Sequence, residues 1–266
     1  VNDIDVGRYW DENADNWTLL ARAGCDVWRD LVNAPAFQRM LPDVNGLSGL
    51  DVGCGEGYNT RLTAARGARM LAFDISPKFV RYADEEARRT GANIRHLRAS
   101  ALHLPFPGAC FDFAMATMSL MDTPDHTAVI NETYRVLRPG GFLQFSVLHP
   151  LFNGADSGWE KSSDGLKSGF IVRDYFNPMQ GVVEDWIFSH TPPEYQNFPK
   201  FHVPRFDRTF SGWLNLVAEA GFILECCDEP TATGEARERF SKYADSGLIP
   251  FSLIIRCRRP SQLSDL

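Results

Sequence analysis

The residues best suited to chemistry lie in one short run, Asp51-Val52-Gly53-Cys54-Gly55-Glu56-Gly57. Glycines at alternate positions let the backbone enter positive φ at no steric cost and let a ligand approach it closely. The spacing is G-x-G-x-G, and Tyr58 stands where the dinucleotide fingerprint G-x-G-x-x-G wants its last glycine. Asp51, two positions ahead of the first glycine, repels a pyrophosphate by like charge and suits a cationic ligand. A second carboxylate, Asp74, closes the apolar run Leu71-Ala72-Phe73 about 20 residues further on, the interval expected in a nucleoside-binding α/β fold. There it can accept two hydrogen bonds from a ribose diol, or it can do no more than cap the helix ahead of Pro77.

These residues need strands to end beneath them and helices to begin just after them. The chain from residue 47 to 147 alternates the two. Apolar runs predict strands at 49–53, 70–75, 94–99, 111–117 and 142–148, and the segments between predict helices at 58–66, 77–90 and 124–137. Ser76 with Pro77 signals a helix start and Gly91 a helix end. The stretch before residue 45 reads as helical, through Tyr9, Trp10, Trp17 and Leu20 and again through Val27, Trp28, Leu31 and Val32. From 150 to 208 the rhythm breaks into an aromatic-rich insertion with two strand-like pieces, 169–175 and 181–188, joined through 177–180. Its aromatics either form a small core of their own or line a lid over a ligand. The α/β pattern resumes with a helix at 210–220 and strands at 222–227 and 251–258. The expected division is therefore a helical segment 1–45, a cofactor-binding core 46–149, an insertion 150–208 and a completion of the core 209–260.

Two further runs complete a set: Leu104-Pro105-Phe106 with Phe111-Asp112, and Arg135-Val136-Leu137-Arg138-Pro139-Gly140-Gly141. In order and spacing, these runs with the glycine loop and Asp74 resemble the class I S-adenosylmethionine-dependent methyltransferases over residues 47 to 148. The resemblance implies a Rossmann-like, doubly wound, seven-stranded α/β sheet with its last strand antiparallel, and S-adenosylmethionine as cofactor with S-adenosylhomocysteine as product. It implies that Gly53, Cys54, Gly55 and Gly57 border the methionine part, that Asp51 faces its ammonium group, and that Asp74 holds the ribose with Ile75 against the adenine. Ala101 and Leu102 would lie at the adenine edge. Ser100 stands where the family often has Asp, so it offers the adenine amino group a weaker, neutral acceptor. Thr117 and Met118 would flank the sulfonium. In relatives an aromatic N-terminal segment closes over the cofactor, which would bring in Trp17, Tyr9 as a hydrogen-bond donor to the methionine carboxylate, and Arg22 as its ionic partner.

An activated methyl needs an aligned acceptor, a dry site and sometimes a base; it needs no metal, and no Cys or His spacing suggests one. His149, at the carboxyl end of the fifth strand, is the candidate base, while His103, His126 and His190 are expected at the surface. The Asn/Asp-Pro-Pro-aromatic signature of exocyclic-amine DNA methylation is absent from Thr117-Met118-Ser119-Leu120, and no Pro-Cys nucleophile occurs. A net charge of -7 gives no general attraction to nucleic acid or anionic lipid. No apolar run approaches the roughly 20 residues of a membrane helix, and the scattered cysteines read as free thiols in a reducing compartment. The expectation is a cytoplasmic monomer or homodimer methylating O, N or C of a small acceptor that is apolar or aromatic in part. A non-catalytic nucleoside-binding or regulatory domain is the alternative, and a nicotinamide dehydrogenase, lacking its last glycine, a third reading.

Overall fold

Alternation along each strand decides which helices cover it. A computed structural model describes residues 1–154, 156–195, 197–234, 236 and 247–261. Its central strands are β1 (Ser48–Val52), β2 (Arg69–Asp74), β3 (Arg95–Arg98), β4 (Phe111–Thr117), β5 (Leu137–Leu148), β10 (Ile223–Asp228) and β11 (Ser252–Arg258). They form one sheet in the order β10-β11-β5-β4-β1-β2-β3, parallel from β5 to β3, with β11 antiparallel to both its neighbours. Leu50, Val52, Ala114, Ala116, Leu143, Phe145 and Val147 point to one face, where α5 (His126–Val136) and α6 (Phe210–Glu219) contribute Ile130, Trp213 and Leu216. Met70, Ala72, Phe113, Met115 and Ile254 point to the other, against Phe37 of α2 (Ala34–Met40) and Ala87 of α4 (Pro77–Thr90). The period of two thus splits the core into two layers around a doubly wound sheet.

The strand order reverses between β1 and β4, which leaves a crevice at their carboxyl ends. The glycine loop follows β1 and leads into α3 (Tyr58–Ala65). Helix α1 (Asp3–Arg22) begins at a capping box on Asn2 and Asp5 and crosses the same end of the molecule.

The insertion holds four strands where two strand-like pieces were expected. Those two pieces do not pair with each other: β6 (Gly158–Lys161) pairs with β7 (Lys167–Ile171), and β8 (Gln180–Trp186) pairs with β9 (Phe201–Phe206). Neither β6 nor β9 was expected from the sequence, and neither alternates cleanly between buried and exposed residues. The second hairpin is tied to α1, where the Asn13 side chain both donates to and accepts from the His202 backbone. Two boundaries also move. The third expected helix starts later, at His126 behind its Asp125 cap, and Arg138-Pro139-Gly140-Gly141 belongs to β5, where Gly140 (φ 81°) accompanies a shift in register against β4.

Candidate cofactor and acceptor site

A cleft of about 750 Å³ opens over the carboxyl ends of β1, β2, β4 and β5. On one side the glycine loop is pinned to β2. The N–H groups of Gly53 and Cys54 donate to the Phe73 carbonyl at 3.0 and 2.9 Å, and Gly55 N–H donates to the Asp74 carboxylate at 2.9 Å. The second Asp74 oxygen accepts from Ser76 N–H at 2.9 Å. Asp74 is therefore fixed and buried at the cleft wall. Burial pushes its pKa up to about 6, against the pull of these N–H groups. Gly55 (φ 54°) has open space where a side chain would stand, so the backbone there is bare toward the cleft.

Of the residues expected at the site, Trp17, Gly53, Cys54, Gly55, Asp74, Ile75, Ala101, Thr117 and Met118 border this cleft. Seven other expected residues do not, each for a visible reason. Asp51 lies buried behind the loop, accepts a hydrogen bond from Thr60, and is pushed by burial to a pKa of about 7. Gly57 (φ 82°) caps α3, and a Cβ there would meet Ala83 of α4 at 3.1 Å, so helix packing demands this glycine. Ser100 turns its hydroxyl to Leu102 N–H at 3.1 Å, which keeps both residues in a local turn. Tyr9 stays outside with Arg8 over its ring. Arg22 is held by Glu56 at 3.3 Å, the Tyr82 carbonyl at 2.9 Å and Glu86 at 3.8 Å, away from the cleft.

His149, the candidate base, is committed elsewhere. Its Nε2 meets Glu229 at 2.9 Å, its Nδ1 accepts from Leu151 N–H at 3.2 Å, and burial lowers its pKa. His126, expected at the surface, is buried against Trp213, accepts from Arg208, and is pushed by burial down to about 4.

Sequence reasoning missed several cleft residues. A π-helical segment, Arg29–Asn33, carries Arg29 and Asn33 to the wall. Arg29 lies over the Tyr58 ring at 4.0 Å and reaches Asp30 at 2.8 Å and Glu56 at 3.5 Å. Among the described residues, three buried oxygens of cleft residues have no protein partner: Asn33 Oδ1, Asn59 Oδ1 and Thr117 Oγ1. Buried polar atoms left so are a mark of sites that a polar ligand completes. Phe152, Trp159, Phe170 and Phe251 pack on one another as an aromatic wall of the cleft, which Trp186, Asp122, Glu184 and Arg205 also line. The aromatic-rich signal in the insertion was legible, and so was a helix around residues 27–32; the turn after β4 and the π winding that carries Arg29 and Asn33 to the wall left no pattern to read.

A family model described as a methyltransferase domain matches residues 50–145. Malonyl-[acyl-carrier protein] O-methyltransferase of Serratia marcescens is 35% identical over 99 residues, 37% of this chain and 37% of that protein. Demethylmenaquinone methyltransferase of Lactococcus lactis is 34% identical over 123 residues, 44% of this chain and 46% of that protein. The matched stretch spans less than half the length of either curated relative. An S-adenosylmethionine-dependent methyltransferase of solved structure from Mesorhizobium loti superposes with a TM-score of 0.68 at 27% identity, over 85% of this chain and 96% of that one.

Proposed function

The chain belongs to the class I S-adenosylmethionine-dependent methyltransferase family, and from that premise we propose that it methylates a small molecule seated against the aromatic wall of the cleft. The observation that carries this reading is the Gly55–Asp74 clamp. It presents a bare backbone beside a buried carboxylate whose two oxygens each spend one acceptor site on a backbone N–H, which leaves capacity for a ribose diol. The remaining residues suit the same ligand. Asp51 puts a second carboxyl beneath the loop, in keeping with a cationic ammonium and sulfonium. Arg29, rather than Arg22, is a guanidinium at the cleft wall that a methionine carboxylate could meet; the other, Arg205, is held by Glu184 and Asp207. When bound, S-adenosylmethionine supplies a methyl group already activated on sulfur. The chain's own part is to hold that donor, to align the acceptor in the opposite half of the cleft, and to keep water out with aromatic side chains.

The acceptor is a metabolite-sized molecule, apolar or aromatic in part, on this reading; the acidic net charge argues against a nucleic acid. Incubation with methyl-tritiated S-adenosylmethionine and a small-molecule extract tests it. Label should pass to low-mass, solvent-extractable products. Label confined to nucleic acid or protein would overturn the acceptor class, and binding of the nucleoside with no transfer to any fraction would leave a non-catalytic domain.

A further inference from the structure

The 3₁₀ turn Leu120–Asp122 follows β4 and sets a carboxyl, Asp122, in the cleft wall. The turn is well fixed. Met118 N–H donates to the Ser146 carbonyl at 2.9 Å, and Ser119 Oγ donates to the Val52 carbonyl at 2.7 Å, which ties the segment to β5 and β1. Met118 holds φ at 54°, an uncommon conformation for a long side chain. Asp122 is only 9% exposed, and among the described residues no N–H or O–H donates to its carboxyl.

The neighbouring cation is already taken. Arg205 on β9 gives Nη1 to Glu184 at 2.7 Å, Nε to Asp207 at 3.1 Å and Nη2 to the Phe152 carbonyl at 2.9 Å. Burial therefore holds the Asp122 proton well above the usual carboxylate range; Arg205 pulls the other way, while Asp74, Asp207 and Glu184 add to the rise. Asp122 lines the cleft, where a ligand's hydrogen bond can reach its carboxyl. A carboxyl keeps an accepting oxygen in either protonation state. The Arg205 bond to Phe152 joins this carboxyl's surroundings directly to the aromatic wall.

We propose that Asp122 reads the acceptor, taking the hydrogen bond of an O–H or N–H group on a molecule whose apolar body lies against Phe152, Phe170 and Trp159. The inference rests on the methyltransferase reading and narrows it, from any O, N or C acceptor to hydroxyl- or amine-bearing compounds.

The test uses the full chain saturated with S-adenosylhomocysteine, its binding first confirmed by calorimetry, and fluorescence titration with 2-naphthol, 2-naphthylmethylamine and 2-methoxynaphthalene. At least one of the two donor-bearing probes should bind about tenfold or more tighter than the methoxy compound, the worth of a hydrogen bond to a carboxyl; which one does so separates a hydroxyl from an ammonium. Asp122→Leu should abolish that preference and leave S-adenosylhomocysteine affinity unchanged. Equal binding of all three probes by the wild type, no binding of any, or an undiminished preference in Asp122→Leu would overturn the proposal. So would a loss of S-adenosylhomocysteine affinity in that variant, which would place the carboxyl against the nucleoside. The wild-type comparison stands even where the leucine variant does not fold. Failure to bind S-adenosylhomocysteine at all would instead strike the methyltransferase reading.

Discussion

Gly55 and Gly57 stand two positions apart and carry different loads. Both have positive φ, so alanine costs about 1–2 kcal/mol at either. At Gly57 the new methyl also presses on Ala83. Gly57→Ala should therefore lower Tm by more than the ~2–4 °C that 1 kcal/mol is worth in a chain of this size, and more than Gly55→Ala does. Gly55→Ala should instead cost S-adenosylhomocysteine affinity, about tenfold or more, because its methyl fills space at the cleft. Thermal melts and calorimetry on the two variants check this; equal losses of affinity would contradict it. The buried carboxyls give a pH signature of opposite sign for folding and binding. Asp74 and Asp51 keep their protons to about 6 and about 7, while unfolded they ionise near the ordinary value. The unfolded chain thus binds fewer protons over that interval, and stability falls as pH rises through it and levels off above about 7. Affinity for cationic S-adenosylmethionine should rise over the same interval, since the ionised carboxylates hold it better. Calorimetry from about pH 5 to about pH 8 follows this; a flat profile would show that neither carboxyl titrates with binding. Asp74 was readable because a strand end fixes where a carboxylate sits. Arg22 and His149 were not, because nothing in spacing tells a long or planar side chain which neighbour it will choose.

The elements that build the cleft differ in how they are held. Strands β1, β4 and β5 are paired on both sides and buried, whereas β6–β7 and β8–β9 are isolated two-stranded ribbons. Such ribbons are marginal without support; for β8–β9 it comes from α1 through Asn13 and from Trp17 against Phe188 and Phe201, at 4.8 and 4.9 Å, and for β6–β7 from Phe152 against Phe170. Amides of β6, β7 and β8 should exchange hydrogen faster than those of β4 and β5, and should slow when S-adenosylhomocysteine and an acceptor occupy the cleft. Uniform protection, indifferent to ligand, would remove the idea that the insertion acts as a lid. Its strands were half legible. The expected pieces starting at Gly169 and Gly181 overlap β7 and β8, but the ribbons expose most of these two strands, so no apolar alternation announced their partners. The period through Val27, Trp28, Leu31 and Val32 announced a helix there, but nothing in it told the π winding of Arg29–Asn33 from an ordinary α-helix.

At the scale of the molecule, the order of strands does the placing. A sheet that winds outward in both directions from β1 and β4 leaves its crevice where those two diverge. The glycine loop and Asp74 arrive on the β2 side, and Thr117, Asp122 and the aromatic wall on the β5 side. That arrangement was readable because each core strand is short, apolar and followed by a helix start. The chemistry of the acceptor half was not, since it is assembled from segments as distant as Asn33, Asp122, Arg205 and Phe251. The central claim is that one half of this cleft holds S-adenosylmethionine by its ribose. Calorimetry of S-adenosylmethionine and S-adenosylhomocysteine with the wild type and with Asp74→Ala tests it most directly. Both ligands should bind the wild type, and both should lose about 10- to 150-fold in the variant, the ~1.5–3 kcal/mol of a charge-assisted hydrogen-bonding site. A wild type that binds neither, or a folded Asp74→Ala that binds both as well as the parent, would contradict it.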